Sequence, residues 1–144
     1  MRRAAVDRLK VLIIDDNPHV RKLVRAIVNG LPEAEVCECA DGREAIAVSS
    51  SWRAHVALVD YEMQPMNGVA FTQQVRAGQT PLPRDLPIVM MTGHADQAHV
   101  LRAREAGVNA LLAKPLSAGA VIHSLEKMIN LASQSKTERR VVGG

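Results

Sequence analysis

The feature that most constrains the fold of this chain is an alternation, repeated five times, of a short apolar run and a segment with helical periodicity. Short apolar runs bounded by charged or turn-forming residues are typical of strands buried in a sheet. Strands that are joined by helices must run parallel, with right-handed crossovers. The sequence therefore predicts an α/β fold, in which a doubly wound parallel sheet of five strands carries helices on both faces.

The predicted elements are bounded by residues that begin or end helices. Asn17, Asp41 and Ser117 each precede a helical pattern and can cap its first turn with a side-chain oxygen. Gly30 and Gly107 follow helical patterns and mark their ends. The predicted strands cover 10–15, 36–40, 55–60, 87–92 and 109–113. The predicted helices cover 18–30, 41–50, 67–76, 96–106 and the segment from 117 onward, and 77–86 form a loop.

The chain has the size of one domain. Its 144 residues can bury a core without disulfides. We expect the folded domain at 9–132, with flexible segments at 1–8 and 133–144. Cys37 and Cys39 lie two residues apart in an apolar run, where a bridge between them would be strained. We therefore expect reduced thiols, packed in the core, and a reducing compartment.

The charge distribution does not indicate nucleic-acid binding. The formal net charge is +3, but residues 11–132 carry 11 basic and 13 acidic groups, so the positive excess lies at the two ends. Three aromatic residues are too few for a base-stacking surface. No apolar run approaches the roughly 18 residues of a membrane span, and no signal-peptide pattern is present. These features predict a cytoplasmic protein that by itself binds neither nucleic acid nor membranes.

Polar side chains stand at the predicted carboxyl ends of four strands. Asp15 and Asp16 end the first strand and Asp60 ends the third. Thr92 ends the fourth strand and Lys114 follows the fifth. Ligands of open parallel sheets bind outside the carboxyl ends of the strands. We therefore expect three carboxylates, one hydroxyl and one ammonium group to meet at one edge of the sheet.

These groups suit phosphoryl transfer. Carboxylates that lie close together repel each other, and a divalent cation relieves the repulsion. All-oxygen ligation favours Mg²⁺ or Mn²⁺, and Mg²⁺ also binds phosphate oxygens. An ionised aspartate can attack a phosphoryl group without a general base and then forms an aspartyl phosphate. Lys114 can pair with another phosphoryl oxygen, and Thr92 can donate a hydrogen bond to a third.

Four segments of the chain carry a family resemblance. They are 11–18, 59–68, 91–94 and 112–115. With these segments the chain resembles the receiver domain of two-component response regulators, in particular stand-alone regulators of chemotaxis. The order of the motifs and the spacing of the polar residues at the strand ends match the family as well, and the resemblance covers about 9–131. It implies a flavodoxin-like sheet with strand order 2-1-3-4-5.

The resemblance implies a role for each residue at the site. Asp60 is the implied phospho-acceptor. The implied metal ligands are Asp15, Asp16, Asp60 and the backbone carbonyl of Glu62. Thr92 is the implied switch hydroxyl. Lys114 is the implied phosphate-pairing lysine, in a cis peptide bond with Pro115.

Three further positions are implied to modulate the site. Glu62 and His94 occupy positions that border the phosphate in the family and set its lifetime. Leu111 stands where the family usually has Tyr or Phe, so no aromatic ring follows the motion of Thr92. The output surface is then expected to switch differently or weakly, or the domain mainly passes the phosphoryl group onward.

The resemblance also implies partners. A histidine kinase or a histidine phosphotransfer protein would donate the phosphoryl group in a phosphorelay, and a downstream protein that the sequence does not identify would respond. The chain is expected to be a signalling phospho-acceptor that catalyses only its own phosphorylation and dephosphorylation. It is expected to be a monomer or a weak homodimer.

Other functions fit part of the pattern. A Mg²⁺-dependent phosphohydrolase would use Asp60 with Glu62 as a second acid, but such enzymes carry the nucleophile on the first strand and have a substrate-covering cap. A flavodoxin-like cofactor module would need a Ser/Thr/Gly-rich loop after the first strand and aromatic residues around the flavin. A receiver that binds partners without phosphorylation also remains open, as does an excised domain of a larger regulator.

The remaining histidines and the basic residues of the first helix have simpler interpretations. The histidines outside the site show no zinc-ligand spacing and are interpreted as structural or solvated: His19, His55, His99 and His123. Three basic residues are expected on the exposed side of the first helix, as a solvated face or as a docking surface for a kinase: Arg21, Lys22 and Arg25.

Overall fold

Strands and helices alternate along the chain as predicted. A computed structural model describes the backbone of residues 8–143 and the side chains of residues 8–130. The strands are β1 (Leu9–Ile14), β2 (Ala34–Cys39), β3 (Val56–Asp60), β4 (Ile88–Thr92) and β5 (Ala110–Ala113). The helices are α1 (Pro18–Val28), α2 (Gly42–Val48), α3 (Gly68–Arg76), α4 (Gln97–Ala106) and α5 (Ala118–Gly143). The strands are parallel in the order β2-β1-β3-β4-β5, which confirms the predicted fold class.

The predicted caps are present at the helix starts. Asn17 Oδ1 accepts a hydrogen bond from the backbone N–H of His19 at 2.9 Å. Asp41 Oδ1 accepts one from the backbone N–H of Glu44 at 2.9 Å. These caps satisfy N–H groups that have no partner within the helix, which is why both helices begin at the predicted places.

Each face of the sheet buries its own layer of apolar side chains. On one face, buried residues of α1 and α5 pack against alternate residues of the strands, among them Val24, Val28, Val121, Leu125, Val11, Ile13 and Leu58. On the other face, α2 and α3 cover the intervening strand residues, among them Ala45, Phe71, Val75, Leu12, Ile14 and Val59. Successive strand residues point to opposite faces, so a strand that is covered on both faces must be apolar along its length. This explains the uninterrupted apolar runs of β1 and β3.

The two terminal segments that were expected to be flexible, 1–8 and 133–144, differ in how far the structure describes them. Residues 1–7, most of the predicted flexible N-terminal segment, lie outside the described residues. Helix α5 continues to Gly143 and so extends through most of the segment predicted as a C-terminal tail. The flexibility of 133–144 stays a prediction, because their side chains are outside the described part.

Gly68 begins α3 where the helix backbone approaches the carboxyl end of β3. Its N–H donates to the carbonyl oxygen of Tyr61 at 2.9 Å. A Cβ atom at this position would lie 2.5 Å from the carbonyl oxygen of Asp60 and 3.1 Å from Cα of Tyr61. Both neighbours are backbone atoms, so a side chain would displace the end of the strand that carries Asp60.

We expect Gly68→Ala to lower the free energy of unfolding by about 1–3 kcal/mol, the usual cost of overpacking. Chemical denaturation followed by circular dichroism measures this change. Gly119→Ala in α5 is the matched control, because a Cβ at Gly119 meets nothing within 4 Å. Alanine should be neutral or stabilising there, by up to about 1 kcal/mol. Equal stability of the two variants would contradict the proposed steric restriction.

Candidate functional site

Three carboxylates meet at the carboxyl edge of the sheet, as predicted. Ile14 of β1 pairs with Val59 of β3, so the residues that follow them, Asp15 and Asp60, lie on neighbouring strands at the same level. One carboxylate oxygen each of Asp15, Asp16 and Asp60 lies within 4.8 Å of the others. Asp15 and Asp60 are buried, whereas Asp16 is exposed. The site therefore has two carboxylates in the protein interior and one in contact with solvent.

Lys114 connects the two buried carboxylates. It follows β5, and its Nζ donates hydrogen bonds to Asp60 Oδ1 at 3.0 Å and to Asp15 Oδ2 at 3.2 Å. Burial lowers the pKa of Lys114, but the hydrogen bonds and charges of the two carboxylates outweigh burial and raise it above its usual value. The ammonium group therefore stays charged. The peptide bond between Lys114 and Pro115 is cis, as predicted.

Asp60 has a strongly altered acidity. Burial and the neighbouring charge of Asp15 raise the pKa of Asp60 to about 6, although Lys114 and a hydrogen bond from the Glu62 backbone act in the opposite direction. The side chain is therefore mostly ionised at neutral pH. An ionised carboxylate is a nucleophile that does not have to lose a proton first.

Arg21 makes a contact at the site that the sequence does not predict. Its Nη1 donates to the carbonyl oxygen of Asp15 at 2.7 Å, and its Nε donates to Glu38 Oε1 at 3.2 Å. The Arg21 side chain is only 18% exposed, so its predicted place on the exposed side of α1 is wrong, whereas Lys22 and Arg25 are exposed. Glu38 lies on β2, and only the folded sheet brings its carboxylate next to α1.

Thr92 ends β4 and is fully buried. Its hydroxyl donates to the carbonyl oxygen of His94 at 3.3 Å and accepts from the backbone N–H of His94 at 3.0 Å. A hydroxyl group has a single proton to donate. Thr92 can therefore donate to another acceptor only by giving up its bond to His94.

The three residues predicted to modulate the site lie apart: Glu62 and His94 are in loops, and Leu111 is on β5. Glu62 and His94 are exposed and paired, with Glu62 Oε2 located 2.7 Å from His94 Nδ1. Leu111 on β5 is half-buried and packs with Tyr61 and Met90. It also lines a cavity of about 410 Å³ between α4 and β5. The effects of these residues on phosphate lifetime and on switching stay predictions.

Residues 11–126 match the family described as the response regulator receiver domain. The chain belongs to this family. The matched segment includes every residue of the acidic site. Receiver domains are signalling phospho-acceptors, so the signalling interpretation is confirmed at the level of the family, and the phosphohydrolase and flavin-binding alternatives lose support.

Individual receiver proteins agree with this assignment. The chemotaxis protein CheY of Pseudomonas aeruginosa is 28% identical over 120 residues, which cover 83% of this chain and 95% of that protein. The structure of Vibrio cholerae CheY4 is 28% identical and covers 85% of this chain and 99% of its own, with a TM-score of 0.77. The receiver domain of sensor histidine kinase PA1611 from Pseudomonas aeruginosa, with a magnesium ion in its active-site cleft, is 27% identical and covers 86% of this chain and 99% of its own, with a TM-score of 0.76. Among the described residues of this chain, no helix is long and apolar enough to cross a membrane.

The acidic site of this receiver fits a magnesium ion. Asp15, Asp16 and Asp60 offer oxygen ligands, which are the ligands that Mg²⁺ prefers. With Lys114 as the cation bonded to Asp15 and Asp60, the three carboxylates leave an excess of negative charge. A divalent cation would balance this charge at the exposed side, where Asp16 lies.

The raised pKa of Asp60 predicts an effect of pH on stability. The pKa is about 6 in the folded protein and about 3.9 in an unfolded chain, so the folded state holds this proton more tightly. The resulting stability is fully present below about pH 4 and is lost as the pH rises through 6. In metal-free buffer at about pH 7.5, we expect Asp60→Asn to raise the free energy of unfolding by about 1–3 kcal/mol.

Urea denaturation of the wild type and of Asp60→Asn at several pH values measures this effect. The gain should become small below about pH 3, where Asp60 is protonated in both the folded and the unfolded state. Asp16→Asn, at an exposed carboxylate, is the control and should change stability less. A gain from Asp60→Asn that is no larger than that of the control would contradict the argument.

Asp16→Asn should instead affect metal binding. Removing one negative charge from a partly solvated site makes the free energy of Mg²⁺ binding less favourable by about 1–4 kcal/mol. The dissociation constant should therefore rise at least about fivefold. Calorimetric titration with Mg²⁺ measures the dissociation constant. Asp96→Asn, at the exposed N-cap of α4, is the control and should leave Mg²⁺ affinity unchanged. Equal Mg²⁺ affinity of Asp16→Asn and the wild type would exclude Asp16 as a ligand.

Proposed function

We propose that Asp60 of this receiver accepts a phosphoryl group from a histidine kinase or a histidine phosphotransfer protein, with Mg²⁺ or Mn²⁺ as cofactor. The observation that carries this proposal is the position of Lys114 Nζ, at hydrogen-bond distance from both Asp60 and Asp15 beside the three carboxylates. A nucleophile, a fixed positive charge and a set of hard metal ligands are the groups that phosphoryl transfer to a carboxylate requires.

In the proposed step, a carboxylate oxygen of Asp60 forms a bond to the phosphorus of a phosphohistidine. The phosphorus–nitrogen bond breaks, and its electron pair stays on the departing imidazole. Asp60 reacts in its ionised form, which a pKa of about 6 provides at neutral pH. Lys114, released from one partner charge as Asp60 becomes an acyl phosphate, pairs with a phosphoryl oxygen.

A bound Mg²⁺ would neutralise negative charge on the phosphoryl oxygens. The groups that would hold it are Asp15, Asp16, Asp60 and the backbone carbonyl of Glu62. Asp15 is fixed before metal binding, because its carboxylate accepts a hydrogen bond from Asn17 N–H at 2.8 Å and its carbonyl oxygen accepts one from Arg21. Such outer contacts orient metal ligands and support affinity.

The proposed switch starts at Thr92. A phosphoryl group on Asp60 would attract the proton of the Thr92 hydroxyl, and the hydrogen bond that this hydroxyl donates to the His94 carbonyl oxygen would be lost. The loop between β4 and α4 would then take a second arrangement. Leu111 lines the cavity between α4 and β5, so this surface is where we expect the downstream protein to detect the change.

The chain is expected to catalyse only the formation and hydrolysis of its own aspartyl phosphate. Glu62 and His94, two residues beyond Asp60 and Thr92 respectively, are expected to influence the lifetime of the phosphate. The receiver is expected to act as a monomer or a weak homodimer.

Intact-mass spectrometry of the protein, incubated with Mg²⁺ and a small-molecule phosphodonor, tests the proposal. We expect one phosphoryl adduct that requires the metal and is lost in Asp60→Asn. Asp96→Asn is the matched control, since it removes an exposed aspartate of a different site while asparagine can keep the helix cap. That variant should form the adduct as the wild type does.

Two results would overturn the proposed chemistry. An adduct that persists in Asp60→Asn would place the nucleophile elsewhere. The absence of an adduct in the folded wild type, both with the small phosphodonor and after a screen of phosphorylated histidine kinases, would favour a receiver that binds partners without phosphorylation.

A further inference from the structure

A second group of metal-ligating side chains lies outside the acidic site. Glu62 follows β3, His94 lies between β4 and α4, and His99 is in the first turn of α4. One ligand atom of each residue lies within 4.8 Å of the others. Glu62 and His94 are exposed and His99 is partly buried, so the cluster is open to solvent. Among the described residues, this is the one such cluster that contains histidine.

Asp96 orients His99 within this cluster. The Nδ1 atom of His99 lies 2.9 Å from Asp96 Oδ1 and 3.0 Å from Asp96 Oδ2. An ionised carboxylate can only accept, so in the neutral imidazole Nδ1 carries the proton and Nε2 has the lone pair. A carboxylate behind a histidine is the usual outer contact of a zinc-bound imidazole.

The surrounding contacts hold the cluster together. The rings of His94 and His99 are stacked, with centroids 5.6 Å apart. The ring of Tyr61 lies 4.8 Å from that of His99, and the Tyr61 hydroxyl accepts a hydrogen bond from Arg102. Arg102 is thus engaged by the Tyr61 hydroxyl, while the carboxyl groups of Glu62 and Asp96 lie beside the two histidines.

The geometry points to a binding site for a divalent transition metal, with Zn²⁺ as the best match, formed by Glu62, His94 and His99. Two imidazoles and one carboxylate are a known zinc donor set, with a fourth position for water. Imidazole ligands favour Zn²⁺ over Mg²⁺, which prefers oxygen alone. The second cluster therefore differs in metal preference from the acidic site.

The distances allow the three ligands to close around one ion. Zinc–ligand distances of about 2.0–2.1 Å place neighbouring donor atoms about 3.3 Å apart in a tetrahedral site. Glu62 and His94 are closer than this, at 2.7 Å, because a hydrogen bond joins them. Their side chains are 44% and 66% exposed, so both can rotate. The neutral His94 ring can then present the lone pair of Nε2 to the ion and keep its proton on Nδ1, and the Glu62 carboxylate can bind the ion in place of that proton.

A bound ion would cross-link two loops of the receiver. Glu62 belongs to the loop after β3, whereas His94 and His99 belong to the loop after β4 and to α4. His94 is also the residue whose backbone holds the hydroxyl of Thr92. The metal site does not depend on phosphorylation of Asp60, so binding can be tested on the unphosphorylated chain.

Calorimetric titration of the full chain with Zn²⁺, in buffer with excess Mg²⁺, tests the proposal. We expect one Zn²⁺ per chain. His99→Gln and His94→Gln should each weaken binding at least about tenfold, because each removes a direct ligand. Asp96→Asn should weaken it about tenfold to a hundredfold, the usual effect of losing the carboxylate behind a zinc-bound histidine. Asparagine at this position can still cap α4.

Two controls separate this site from other histidines and from the acidic site. His123→Gln changes an exposed histidine on α5 and should leave Zn²⁺ affinity unchanged. Asp16→Asn changes the acidic site and should also leave it unchanged. Thermal melting without zinc verifies that each variant is folded, and added zinc should raise the melting temperature of the wild type more than that of His99→Gln.

Three outcomes would overturn the proposal. The first is that the wild type binds no Zn²⁺ under these conditions. The second is that folded His99→Gln and His94→Gln bind Zn²⁺ as tightly as the wild type, which would show that other groups hold the ion. Loss of binding in Asp16→Asn but not in the histidine variants would place the ion in the acidic site.

Discussion

Lys114 Nζ lies 3.0 Å from a carboxylate oxygen of Asp60 and 3.2 Å from one of Asp15, and the carboxyl edge of the sheet depends on this contact. Two carboxylates buried side by side are costly in an interior that solvates charge poorly. One ammonium group offsets part of their charge. Burial, with the charge of Asp15 as the second cause, raises the pKa of Asp60 to about 6. The negative charge that Lys114 does not offset favours a divalent cation. Burial and this excess charge together explain the altered acidity, the fit to Mg²⁺ and the reactivity proposed for Asp60.

The sheet provides the rigidity that this arrangement needs. β1 and β3 are covered by helices on both faces, and their side chains are locked by packing. The strands end at the same level, so residues far apart in the chain meet without a long loop. Gly68 lets α3 start directly against the Asp60 backbone, and Arg21 holds the carbonyl of Asp15. The buried carboxylates are thereby positioned mainly by backbone.

The loops above the sheet contrast with this rigid base. The Thr92 hydroxyl is hydrogen-bonded to the backbone of His94, two residues further along the chain. The His94 ring is paired with the carboxylate of Glu62 on the neighbouring loop. A change at the hydroxyl of Thr92 therefore reaches the exposed loops through one backbone segment. If Zn²⁺ joins Glu62, His94 and His99, the same segment carries two ligands of a metal site, so the two sites share a structural element although their donor chemistry differs.

The sequence by itself determined the order of strands and helices, the caps at Asn17 and Asp41, and the meeting of Asp15, Asp60 and Lys114. These features follow from local patterns and from one topological rule, that the carboxyl ends of parallel strands lie at one edge. Only the tertiary structure decided which long side chains meet. Arg21 reaches Glu38 on β2, and His94 and His99 approach Glu62 on another loop. Such contacts depend on the relative positions of separate elements, and no spacing within a single element encodes them.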